Sequence, residues 1–217
     1  MLVAVCALLG AIGGAFAAPW LGTLSRGRST TGWFARPVVA AVVGVVAAGA
    51  AALVGPRAAL PATLVVALAA TGAGLVDAAA HRIPNAIVLP AYPLAVVGYA
   101  VAALIDGDGA ALVRALAGGA ICWSLYALLA WVYPPGLGFG DVKLAGLLGI
   151  ALGWFGWTHL VVGVVGAFVL GGLAALALLV TRRARRSTAI PFGPWMIGGA
   201  FVGAAWGPAV LAGLLAA

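Results

Sequence analysis

The sequence contains no glutamate, four aspartates and two histidines, and only 7% of its 217 residues are Asp, Glu, Lys or Arg. Soluble domains carry roughly 25% charged residues. A water-soluble globule is therefore excluded, because the chain has too little polar surface to coat one. The two cysteines, Cys6 and Cys122, stand apart in apolar stretches, with no CxxC pair and no neighbouring histidine. That excludes a disulfide framework and supports no zinc site, so both thiols are expected buried and inert. No metal or other cofactor is expected. No internal repeat with a period of about 20 to 50 residues is evident, and a single transmembrane domain over residues 1–217 is expected.

What the chain does contain is apolar sequence, 65% of it. A spanning helix needs about 20 consecutive apolar residues, and several such runs are present. A transmembrane β-barrel would instead show alternating segments of about 10 residues. The fold class expected is all-α, a polytopic membrane protein of about eight transmembrane helices. The segments are Leu2–Leu24, Pro37–Gly55, Ala58–Val76, Ala86–Ile105, Ala110–Tyr133, Val142–Trp157, His159–Val180 and Trp195–Ala216. The first contains "AFAAPW", which offers a small-residue cleavage site. No positive residue precedes it and its apolar core is long for a signal peptide, so it is expected to be a retained helix. The 33 glycines fall in small-xxx-small spacings such as "GVVGAFVLGG" and "GGAFVGAAWG". These predict close helix–helix packing where lipid supplies no hydrophobic drive.

The net charge is +7. Its arginines lie between apolar segments, where they orient helices and meet anionic headgroups, so the partners expected are membrane lipids and no nucleic acid. With the N-terminus outside, Arg26, Arg28, Arg36, Arg82, Arg182, Arg183, Arg185 and Arg186 are cytoplasmic, and only Arg57 and Arg114 are outside. The opposite threading would strand the "RRARR" cluster outside. Both Asp77, at the end of the third span, and Asp141, at the start of the sixth, then belong to the cytoplasmic face.

Asp106 and Asp108 sit in "IDGDG", a turn-like segment without the remaining ligands of a calcium loop. Asp77 and Asp141 abut apolar spans, where a carboxylate costs on the order of 2.5–3.5 kcal/mol. Asp141 precedes "VKLAGLLG", and capping the helix N-terminus would account for it. Asp77 lies near a helix C-terminus, where the dipole disfavours negative charge. With Lys143 nearby, Asp141 is expected ionised, and the desolvated Asp77 protonated. One charged and one neutral carboxylate can activate a water and protonate a leaving amine. Gly136, Gly138 and Gly140 before and beside Asp141 would allow close approach of a substrate backbone and unusual backbone angles. After Asp77, "HRIPN" breaks the helix: Pro84 disfavours a helical Ile83, and Asn85 can cap the next span. His81 and Arg82 are expected to contact headgroups.

At these residues the sequence resembles the prepilin peptidases, or type IV leader peptidases. "GLVDAAAHRIPNAIVLP" is similar to the family's first-aspartate segment, and "GLGFGDVKLAGLLGIALGW" to its second, with a Gly-x-Gly-Asp-x-Lys core. "AIPFGPWMIGGAFVG" is similar to its Pro-Phe-Gly-Pro segment. The resemblance implies that Asp77 and Asp141 are the catalytic pair of an aspartic endopeptidase of the bacterial inner membrane, with the active site facing the cytoplasm. Gly138, Gly140, Lys143, Pro84 and Asn85 then shape the site or meet substrate. Implied substrates are prepilins or pseudopilins, whose basic leader is cut after a glycine just before an apolar helix. Many family members carry a zinc-binding domain with paired CxxC motifs between the first two helices, and also N-methylate the mature pilin. Here that loop is "SRGRSTTGWFAR", without cysteine, which puts methyltransferase activity in doubt. A small transporter using Asp77 and Asp141 as proton or cation sites is the alternative from another class.

Overall fold

The structure is a computed structural model that describes residues 1–25, 34–133, 137–181 and 191–216. Arg26, Arg28, Gly136 and the cluster Arg182, Arg183, Arg185 and Arg186 lie outside the described residues. Within them the chain forms eight helices and no strand: α1 (Leu2–Leu24), α2 (Arg36–Val54), α3 (Leu60–Ala80), α4 (Asn85–Asp106), α5 (Gly109–Val132), α6 (Phe139–Phe155), α7 (Trp157–Val180) and α8 (Gly193–Ala216). Seven are long and apolar enough to cross a bilayer. The remaining one, α6, has 17 residues, at the lower limit of the roughly 17–25 that a span takes. The chain is a multi-pass membrane protein, as its composition dictates.

Helix ends follow local chemistry. Proline near the start of α2 and α3 presets the helical backbone where no N–H partner is needed. α4 ends at Asp106, with Gly107 in the left-handed region at φ 68°. Asp108 then receives the Ala111 amide on Oδ1 at 2.9 Å, capping α5. The "IDGDG" carboxylates are thus an exposed turn and a helix cap.

Backbone packing divides the chain into two compact units, residues 1–113 and 114–217. In the first, α1 lies against α2 through glycine. A side chain on Gly10 would come within 2.7 Å of Ala47 Cβ, and one on Gly14 within 2.9 Å of the Val39 carbonyl. A buried cluster joins Ala18 and Leu21 of α1, Val39 and Val43 of α2, and Val76 and Ala80 of α3. Gly98 of α4 approaches Ala62 of α3, and at the next residue of each helix the Thr63 and Tyr99 hydroxyls share a buried hydrogen bond of 3.1 Å.

In the second unit, α8 presents Gly199, Gly203 and Gly207 to α7. A Cβ on Gly203 would fall 2.6 Å from Gly163 Cα, and one on Gly207 would fall 2.7 Å from His159 Cα. His159 Nδ1 and the Gly203 carbonyl lie 2.8 Å apart across the seam. α5 meets α6 at Gly118 and Gly149, with Cys122 buried against Gly149. Cys6, by contrast, is half-buried. These contacts are the close packing that the glycine spacing predicts. Residues Leu144 to Gly153 of α6 are buried on every side. The last carbonyls of α6 are held by Arg114, whose Nε donates to Gly153 O at 3.1 Å and Nη2 to Trp154 O at 3.2 Å. Gly156, at φ 140°, alone separates α6 from α7.

Candidate active site

Asp77 belongs to the first unit. The Ala78–Ala80 run is strongly helix-forming, so α3 continues past Asp77 and the carboxylate sits inside its last turn, fourth from the end. The expected span ended one residue before it. Asp77 is 5% exposed, the one charged residue among the buried side chains described. Its flanking residues Val76 and Ala80 face the buried cluster formed with α1 and α2. The helix stops at His81, whose amide donates to the Asp77 carbonyl at 2.8 Å and whose φ of 53° is left-handed. It is the only described non-glycine residue with positive φ.

The turn after Asp77 departs from expectation at its cap. Pro84, not Asn85, is the N-cap of α4, with an extended φ of −75° and no side-chain cap hydrogen bond. Proline enforces that conformation, and Asn85 becomes the first helical residue instead of the cap. Arg82 also has a partner within the protein. Its Nη2 donates to the carbonyl of Leu24, the last residue of α1, where unsatisfied carbonyls and the negative end of the dipole favour a cation.

Asp141 belongs to the second unit and is the third residue of α6, which starts at Phe139 instead of Val142. Its Oδ2 receives the Gly138 amide at 2.9 Å, the return half of a capping box. The capping role therefore exists and uses one carboxylate oxygen. Gly138 is the N-cap at φ −83° and Gly140 is helical, so neither adopts a backbone angle reserved for glycine. What the two glycines contribute is the missing side chain: a Cβ on Gly138 would lie 3.4 Å from Asp141 Oδ2. Lys143 places Nζ 4.9 Å above the Phe139 ring, a cation–π contact one turn back along the helix. Phe139 is 59% exposed and meets Trp123 of α5 edge-on, with ring centroids 6.3 Å apart. Among the described residues, no three His, Cys, Asp or Glu side chains gather where they could hold a metal ion.

Residues 62–180 match the type IV leader peptidase family, a stretch that includes both aspartates and their flanking motifs. The chain belongs to this family. Among its relatives, the prepilin leader peptidase/N-methyltransferase of Pseudomonas putida is 34% identical over 140 residues, covering 64% of this chain and 47% of the relative. The protein of the same description from Escherichia coli is 34% identical over 131 residues, 59% of this chain and 55% of the relative. That from Burkholderia pseudomallei is 32% identical over 168 residues, 75% and 52% respectively. The chain thus spans about half the length of these relatives. No solved structure matches it.

For this member of the leader peptidase family, Arg82 and Arg114 are the residues whose partners within the protein sequence reasoning missed. Each turns its guanidinium to the carbonyl end of a helix. The only available signal was an arginine close to one end of an apolar segment, which equally suits a headgroup contact. The match to the family ends at residue 180, before the Pro191–Pro194 segment.

Proposed function

We propose that this protein is a membrane-embedded aspartic endopeptidase that removes the basic leader from type IV prepilins or pseudopilins at the cytoplasmic face of the bacterial inner membrane. One observation carries the reading. Of the four acidic residues in the chain, Asp106 ends α4 and Asp108 caps α5 in an exposed turn. Only Asp77 and Asp141 remain for chemistry. One is buried in the last turn of α3 and the other stands in the first turn of α6.

Alternate threading of the eight helices puts the end of α3 and the start of α6 at one membrane face, and the arginine bias makes that face cytoplasmic. There the leader meets water while the apolar helix that follows it lies in the bilayer. In the proposed mechanism, ionised Asp141 takes a proton from a water whose oxygen attacks the scissile carbonyl carbon. Protonated Asp77 gives its proton to the amide nitrogen as the C–N bond breaks. The charge states follow from the helix ends, since an N-terminus favours an anion and a C-terminus does not. Gly138 and Gly140 leave room for a substrate backbone, Lys143 places positive charge beside Asp141, and Pro84 and Asn85 fix the turn beyond Asp77. A site set at helix ends, not mid-helix, favours this over a transport pathway. One domain over residues 1–217 would carry the activity, with membrane lipids and the pilin-like substrate as partners.

Co-expression with a pilin-like protein from the same genome tests the proposal. Leader removal by the wild type, and its loss in both Asp77→Asn and Asp141→Asn, is expected. Normal cleavage by either variant would exclude the dyad.

A further inference from the structure

We propose that Arg82 is a positioning residue for Asp77: bound to the Leu24 carbonyl, it fixes the α3–α4 turn against the end of α1 and so holds the last turn of α3 in place. This rests on the reading of Asp77 as one of the two reacting carboxylates.

Three observations converge on it. First, Asp77 lies in the part of a helix that frays most readily, its final turn. That turn is closed by a left-handed histidine, a conformation that side chains other than glycine and asparagine resist. Something outside the helix has to hold it. Second, the same end of α1 already surrounds this turn, with Ala18, Leu21 and Leu24 packed with Val76 and Ala80. Arg82 adds a directional bond from the residue just past His81 to the last carbonyl of α1. Apolar packing can slide, whereas a guanidinium on a carbonyl sets both distance and orientation. Third, the Nε of Arg82 is buried without a partner among the described residues. A buried donor left unmade is costly, and that cost is accepted for the bond that Nη2 makes to Leu24. The cation is there for a geometric task, and the nearest carboxylate on its own strand of chain is Asp77.

The test compares the full-length wild type with Arg82→Met, Arg82→Lys and Asp77→Asn, each purified in mild detergent and assayed on a pilin-like substrate with a basic leader. Methionine keeps the apolar stem and removes every donor; lysine restores one. Expected is a kcat for Arg82→Met about tenfold or more below wild type with KM within about twofold, and Arg82→Lys within about threefold of wild type. Wild-type kcat in Arg82→Met, or a lysine variant as impaired as the methionine one, would overturn the assignment. So would a fall in the amount of folded enzyme with unchanged kcat per folded molecule. Inactive wild type, or active Asp77→Asn, would instead sink the peptidase reading and is told apart by those two controls.

Discussion

The Gly138 amide and the Asp141 carboxylate are joined by a 2.9 Å hydrogen bond at the head of α6. The residue proposed to activate water is therefore also part of what starts its own helix. Substitution can separate the two tasks. Asn retains an acceptor for the Gly138 amide, so Asp141→Asn should fold with near-normal thermal stability and fail to cleave. Asp141→Ala should lose cleavage and in addition about 1 kcal/mol of stability, read as a lower melting midpoint in detergent.

Asp77 is expected to behave differently, because it is buried and caps nothing at an N-terminus. Asp77→Asn is nearly isosteric and should fold and insert normally while leaving the substrate at its uncut size on a gel. In a background with Cys6 and Cys122 replaced, cysteines at positions 77 and 141 should be joined by a short bifunctional thiol reagent. Absence of that crosslink in folded, membrane-inserted protein would contradict the shared site.

The membrane threading makes its own prediction. In the same cysteine-free background, Asp108→Cys sits in an exposed turn and should react in intact cells with a maleimide that cannot cross the membrane. Arg185→Cys should react only after the inner membrane is permeabilised. The reverse pattern would place both aspartates on the wrong side for a cytoplasmic leader.

The seam between α7 and α8 should be intolerant of side chains. A Cβ on Gly203 would fall 2.6 Å from Gly163 Cα, so Gly203→Ala must push the helices apart and should cost about 1–3 kcal/mol. Gly172, with open space at its Cβ position, is the matched control and should accept alanine with no measurable change in the melting midpoint.

Much of this architecture was legible in composition and spacing. The eight helices, the glycine seams and the two aspartates near helix ends all follow from apolar runs and four-residue periodicity. Ends were less legible, because hydropathy drops at a charge while a helix stops only where the backbone does. Thus Ala78–Ala80 carried α3 beyond Asp77 to the left-handed His81, and α6, capped by Gly138, began at Phe139, three residues before the apolar run. The arginines were least legible. Arg82 and Arg114 bind backbone carbonyls of helices 58 and 39 residues away, and every residue has a carbonyl, so no pattern in the sequence marks the partner.

Arg114 also bears on Asp141 from a distance. It clasps the far end of α6, and a single glycine ties that end directly to α7. The anchorage of the Asp141 helix thus lies at its opposite end, and loosening it should shift the carboxylate proposed to activate water without touching any residue near it.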